Sequence, residues 1–313
     1  MSSLRLPNLS HDPKLPHLIV ITGPTASGKS SLALETAERL GAHIISAESR
    51  QIYRGIPITT AAPSPDDLRR VPHHLVEFLD LDAYYSAASF AADADGIIRR
   101  AAQLSQPYVV VCGGSMMYVD ALLYGLDNLP TITPEVRLRV ADLYRQTGLE
   151  GLLAFLSNLD PQYADTVAPD NPRRVMHAVE LCLQAGKPVS QILSRTPGPL
   201  RYSYTKFVID LPRHELFRRI DTRVDAMVAA GMEAEARSLY HLRHLNSLNT
   251  IGFKEWFACF DGTLDRPTAI ARIAKNTRVY AKKQLTWLAR QSDVVRLQPQ
   301  NALQNLLNHI SAK

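Results

Sequence analysis

Cysteine is scarce in this chain: Cys112, Cys182 and Cys259 are the only three in 313 residues, odd in number and far apart. That spacing argues against a disulfide framework and a cysteine-rich zinc site, and points to a reduced, cytoplasmic protein. No apolar run approaches the ~20 residues that a membrane span needs, so no membrane partner is expected. The first sixteen residues, MSSLRLPNLSHDPKLP, lack the apolar stretch of a signal peptide and contain three prolines, so 1–16 reads as a flexible tail. Acid is missing near the C-terminus. Between Asp265 and Asp293 there is none, whereas Arg266, Arg272, Lys275, Arg278, Lys282, Lys283 and Arg290 all fall there. Charge of one sign over such a stretch suits a polyanion such as nucleic acid, or else a solvated helix face. The 46% hydrophobic and 21% charged composition is otherwise ordinary for a globular protein of one large or two modest domains.

What is present begins with the apolar run HLIVIT, a β-branched segment that reads as a buried strand, followed by GPTASGKS over residues 23–30. A helix with a glycine stop at Gly41 comes next, then HIISAES as a second strand. A helix over AASFAADADGIIRRAAQLS leads to a third strand in PYVVVCGGS. Strand and helix alternating in this way predict an α/β fold with a parallel sheet, its ligands at the carboxyl ends of the strands. From Thr133, an N-cap with Pro134 at the first helical position, to about residue 200 only helices and turns are expected. TKFVIDLP returns one strand to the sheet. The remainder reads as helical, with a long helix from about Thr268 to Arg290 and a capping helix over the last twenty residues. The predicted organisation is a core over 17–130 and 201–313, interrupted by a helical insertion over 131–200.

Residues 23–30 fit the phosphate-binding loop G-x-x-x-x-G-K-[ST], between a strand and a helix as that motif requires. Gly23, Pro24, Thr25, Ala26, Ser27 and Gly28 would cradle phosphate oxygens with backbone amides, Lys29 adds a positive charge, and Ser30 can ligate Mg²⁺. A hydrolysing P-loop enzyme also wants an Asp at the end of a neighbouring strand, but the third strand ends in Cys112-Gly113-Gly114-Ser115. An ATP-driven motor or switch is therefore disfavoured. Glu48, at the tip of the second strand, is a candidate metal ligand or base.

The segments GPTASGKSSLA, IISAESRQIYRG, VVCGGSMMYVDALLYGL, NPRRVMHAVELCLQAGKPVS, RVDAMVAAGMEAEARSL, IGFKEW and RVYAKKQLTW resemble, in order, the tRNA dimethylallyltransferase (tRNA isopentenyltransferase, IPP transferase) family. The resemblance runs from about residue 18 to 291. It implies a P-loop NTPase-like parallel sheet with flanking helices and a tRNA-binding helical insertion, an architecture whose default state is a monomer. It also implies transfer of a dimethylallyl group from dimethylallyl diphosphate to N6 of adenosine 37, in the anticodon stem-loop of tRNAs that read codons beginning with U. Glu48 matches the family's general base, and Ser115 the hydroxyl near the reacting centre. Arg223 matches an arginine that reaches the diphosphate. Ser49, Arg50 and Gln51 match the segment that reads the adenine, and Arg137, Arg173, Arg174, His177, Arg278, Lys282 and Lys283 match tRNA contacts. On helical geometry Arg272, Lys275, Arg278, Lys282 and Lys283 fall within roughly 140° of the circumference, one phosphate-facing stripe.

The chain departs from the family pattern in places. Glu48 stands for the usual Asp, Thr59 for Gly, Ala62 for Lys, His177 for a frequent Arg, and Asn249 for Gln or Arg. Other readings compete. An adenylate isopentenyltransferase alkylates free AMP, ADP or ATP and is similar to the same family. A small-molecule kinase would also carry a P-loop and an acid. A tRNA-binding relative with weak turnover would keep the basic surface. The insertion arginines and the basic C-terminal helix favour tRNA.

Overall fold

The computed structural model describes residues 12–126, 129–193 and 200–312. Of the expected tail, residues 1–11 lie outside the described residues, and the next few make a turn in which Leu15 N donates to Asp12 O. The chain divides into two compact units, one built from the chain up to Leu123 and from Leu200 onward, the other from Tyr124–Pro199.

The first unit runs β1 (His17–Thr22), α1 (Lys29–Leu40), β2 (His43–Ser46), α2 (Pro57–Thr60), α3 (Pro65–Arg70), β3 (His73–His74), α4 (Ala87–Gln103), β4 (Tyr108–Cys112) and α5 (Met116–Tyr124). It resumes with β5 (Tyr204–Ile209), α9 (Arg213–Ala229), α10 (Met232–Ser238), α11 (Phe253–Phe260), α12 (Arg266–Leu288), β6 (Val294–Leu297) and α13 (Ala302–Ser311). Among the described residues six strands lie in the order β3-β2-β4-β1-β5-β6, every pairing parallel. In the middle, Ile19 faces Val110 on β4 and Thr205 on β5. Parallel strands are covered on both faces, which is why β1 and β4 are continuous apolar runs without alternation.

Two strands escape the sequence reading. β3 is a two-residue edge strand, too short to show periodicity. β6 lies in a region read as purely helical; VVRL pairs with β5 in register Phe207↔Val295, and α13 then packs back on α1. Together Leu297, Ala302, Leu306 and Ile310 join Ile19, Ile21, Leu32 and Ala37 in one buried cluster. A second cluster gathers Ile52, Ile56, Phe253, Trp256 and Ile273. Fully burying one such Leu, Ile or Phe is worth about 1.5–3 kcal/mol. α12 starts at Arg266 rather than near Thr268, because Asp265 caps it by accepting from Thr268 N at 2.7 Å, with Pro267 in its first turn.

The second unit contains α6 (Pro134–Leu159), α7 (Pro161–Ala164) and α8 (Pro172–Ala185), and no strand among its described residues. Thr133 caps α6, which is broken at Gly148, where φ of 67° leaves the helix; α8 ends at Gly186 in the left-handed region. Val140, Leu152, Leu156, Val175, Val179 and Val189 are fully buried in its core. Asp160, 1% exposed, ties the unit together by accepting from Tyr163 N, Ser190 N and Ser190 Oγ at 3.0, 2.7 and 2.9 Å.

Candidate active site

The chain between β1 and α1 turns through Gly23 at φ 143° and Gly28 at φ 96°, with Ala26 also left-handed, and enters α1 at Lys29. This geometry leaves the first amides of α1 unpaired within the helix, as an anion cradle requires. Ser27 Oγ is buried and has no hydrogen-bond partner among the described residues, while Ser30 is exposed at the mouth of the loop. Lys29 Nζ lies 3.1 Å from Glu48 Oε1, the side chains 7% and 24% exposed.

Glu48 reaches this point because β2 and β4 are neighbours, so the turns after them meet above the sheet. Gly113 is pressed against Ala47, where any Cβ would strike the Ala47 carbonyl; a Cβ on Gly114 would strike Gln284 and crowd Gly23 O. The close approach lets Gly114 N donate to Glu48 Oε1 at 2.9 Å. Both contacts to Glu48 thus fall on Oε1, and Oε2 is free of hydrogen bonds among the described residues. Ser115 Oγ accepts from Ser49 N at 2.8 Å, which ties the second glycine turn to the segment carrying Glu48. Gln51, also close to this point, spends its amide on the protein: Oε1 accepts from Ser46 Oγ and Nε2 donates to Thr60 O and Ala61 O.

Two cavities of about 250 and 150 Å³ adjoin here, sharing Ser30, Glu48, Gln51 and Arg223 in their walls. The larger continues past Ala33, Leu34, Ile44, Ala61, Ala62 and Pro63, mostly small and apolar. The smaller continues past Thr25, Lys29, Arg50, Tyr280 and Gln284. Arg223, half-buried on α9, has no ion pair or hydrogen bond among the described residues. Burial pulls its pKa below the ordinary arginine value, and the Glu48 charge works the other way. Burial likewise lowers Arg50, whose guanidinium donates to Asn246 O. The Tyr280 hydroxyl is pushed up to about 12 by burial, with Glu48 adding and Arg50 opposing.

The structure thus brings together residues 23–30, Glu48 to Gln51, Ser115 and Arg223. On α12, Lys282 and Lys283 are exposed, whereas Arg278 is partnered by Asp221. Arg137, Arg173, Arg174 and His177 are exposed in the second unit, His177 3.4 Å from Glu180. Gln284 joins the P-loop and the second glycine turn, a residue no motif points to. It is 2% exposed, and its signal was a polar residue on the apolar Ile273–Ala281–Leu288 face of α12.

A P-loop whose lysine faces a carboxylate, beside an unpaired arginine and with no acid at the end of β4, defines a group-transfer site rather than a nucleotide-hydrolysing one. A model of the IPP transferase family matches residues 51–291. Among similar proteins, a protein named tRNA dimethylallyltransferase 2 from Porphyromonas gingivalis is 45% identical over 88% of this chain and 92% of its own length. Another of that name from Parabacteroides distasonis is 41% identical over 94% and 98%. The crystal structure of the full-length tRNA isopentenylpyrophosphate transferase of Bacillus halodurans aligns over 95% of this chain and 96% of that one, with 31% identity and a TM-score of 0.70. A eukaryotic dimethylallyltransferase acting on tRNA shares the fold, with a TM-score of 0.78 at 24% identity, over 95% of this chain and 77% of its own. The chain belongs to the IPP transferase family.

Proposed function

We propose that this protein transfers the dimethylallyl group of dimethylallyl diphosphate to N6 of adenosine 37 in tRNAs that read codons beginning with U. The products are N6-(dimethylallyl)adenosine and diphosphate. The observation that carries the reading is the unpaired guanidinium of Arg223 beside the P-loop and Glu48. A half-buried cation that no carboxylate pairs directly is poised for an anionic ligand, and a departing diphosphate needs such a sink.

In this reading the N6 lone pair attacks C1 of the dimethylallyl group, the C1–O bond breaks, and its electron pair leaves with the diphosphate. Lys29, Arg223 and the loop amides stabilise that charge. The exocyclic amine is conjugated into the adenine ring and is a weak nucleophile, so its proton must go to a base. Glu48 Oε2 takes it. Diphosphate draws Lys29 from Glu48 on binding, which frees the carboxylate to meet the amine. Ser30 is the residue that would hold Mg²⁺, the other ligands being diphosphate oxygens and water as that ion prefers, and the bound ion would supply further charge neutralisation. No group of three or more His, Cys, Asp or Glu gathers among the described residues to hold a metal by itself.

The target base must leave a stacked anticodon loop, which costs a few kcal/mol. Phosphate contacts from Lys282 and Lys283 offset that cost, with Arg278 joining once it exchanges Asp221 for phosphate. Arg137, Arg173, Arg174 and His177 supply the contacts of the helical unit. The protein works as a monomer in the cytoplasm; no described helix is long and apolar enough to cross a membrane. The test offers labelled dimethylallyl diphosphate and Mg²⁺ to unmodified tRNA in one tube and to AMP or ATP in another. Label on the adenosine 3′ of the anticodon is expected. Label on the mononucleotide, or on neither, refutes the reading.

A further inference from the structure

Gln284 joins three parts of the site through one carboxamide. Its Oε1 accepts from Thr25 N in the P-loop at 3.0 Å, and its Nε2 donates to Gly114 O at 3.0 Å. The partners are a backbone N–H and a backbone C=O, so the orientation of the amide follows from them. Gly114 then uses its own N–H to hold Glu48 Oε1 at 2.9 Å, and Glu48 meets Lys29, four residues after Thr25, at 3.1 Å. These contacts close a ring: Thr25, Gln284, Gly114, Glu48, Lys29. Gln284 is 2% exposed, and the space over Gly114 is so filled by its amide that no Cβ fits there. Lys282 and Lys283, two of the exposed cations of α12, immediately precede it.

We propose that Gln284 is a positioning residue, which sets the distance between the phosphate cradle and the Glu48 carboxylate and ties both to the helix that carries Lys282 and Lys283. This rests on the roles assigned above to Glu48 and the P-loop. Without the carboxamide, the Gly113–Gly114 turn loses its tie to α12, and the amide that holds Glu48 Oε1 moves with it. A shift of about 1 Å in a reacting group is enough to cost on the order of a hundredfold in rate. Substrate tRNA should still bind, because Lys282 and Lys283 remain.

Gln284→Met keeps length and apolar contact but neither hydrogen bond. Gln284→Glu keeps the acceptor for Thr25 N, and regains the donor for Gly114 O only when its carboxyl is protonated. Initial rates over pH 5.5–8.5 are the measurement, with kcat and the KM for tRNA separated. Expected is a fall of roughly 10–100-fold in kcat for Gln284→Met with the KM for tRNA within about threefold of the parent. Gln284→Glu should exceed Gln284→Met, by a factor that grows as pH falls. Equal impairment of the two variants at every pH overturns the proposal, as does an unchanged kcat in Gln284→Met. Failure of the functional reading is separable, since the parent protein would then not label tRNA at all. In that case inorganic pyrophosphate still tests the ring: Gln284→Met should reduce the rise in Tm that pyrophosphate produces, and an equal rise refutes it.

Discussion

Arg223→Met is expected to make the protein more stable and less active. Arg223 is half-buried, meets no carboxylate, and has its charge disfavoured by burial. In the free protein its desolvation is offset only by the Glu48 charge, with no ion pair or hydrogen bond to it among the described residues. An apolar side chain of similar length relieves that cost by an amount on the order of 1 kcal/mol, since burying even paired charges is often no better than burying apolar groups. For a chain of this size that corresponds to a rise in Tm of about 1–2 °C. The loss appears when diphosphate is present. A hydrogen bond to a charged group contributes about 1.5–3 kcal/mol, so pyrophosphate should bind roughly ten- to a hundredfold more weakly. At a hundred times its Kd, a ligand raises stability by about 2.7 kcal/mol, and in the variant at the same concentration that gain should fall to about 0.4–1.4 kcal/mol. Turnover should fall on the order of 10²–10³-fold, as when one donor to developing negative charge is removed. Thermal melts with and without pyrophosphate, alongside initial rates with tRNA, read all three quantities. A lower Tm in the free variant with an undiminished pyrophosphate shift would mean that Arg223 is a structural residue, and would refute the reasoning.

Glu48→Gln should remove most turnover while leaving tRNA affinity nearly intact, as measured by single-turnover rates and filter binding; parallel loss of both would make the residue structural. Lys282→Ala with Lys283→Ala should weaken tRNA binding and flatten the slope of log K against log salt by about 1.5, because two phosphates fewer are neutralised; an unchanged slope removes α12 from the interface. Asp160→Asn should destabilise the second unit in a pH-dependent way. Burial alone would raise the Asp160 carboxyl, but the hydrogen bonds from Ser190 and Tyr163 outweigh it and hold the pKa below the ordinary carboxylate range. With the folded value below the unfolded one of about 3.9, the stabilisation is full above that pH and is lost as pH falls through the folded value. Melts from pH 3 to 7 should therefore show the Tm gap between parent and variant narrowing below about pH 4; a constant gap contradicts this account.

The meeting of Lys29 and Glu48 is legible in the sequence because each stands at the carboxyl end of an apolar strand or just past it, where parallel sheets place their ligands. Gly113 and Gly114 could be read as a second turn at the same level, but not as the hinge on which Glu48 hangs; that depends on a backbone approach known only from coordinates. β6 hid because a four-residue edge strand with Arg296 in it has no distinctive period. Arg223 was recognisable by resemblance, yet the absence of a partner for it could not be: Asp221 and Asp225 flank it in sequence, and only the structure shows Asp221 turned to Arg278 instead. Gln284 shows the limit most plainly. A glutamine among basic residues looks like solvated surface until α12 is seen to bury that face.

The last strand and helix bear on biosynthesis. α1, which carries Lys29 and Ser30 at its start, rests on Leu306 and Ile310 from α13, and β5 is edged by β6. Every residue of the site has left the ribosome's catalytic centre before these supports are made. A nascent chain therefore holds the whole chemical inventory of the enzyme before the last part of the packing beneath α1 is in place. The buried cluster under α1 is complete only after translation has passed residue 310, so a chain cut short in its final segment would keep its catalytic groups and lose the α13 side of that packing.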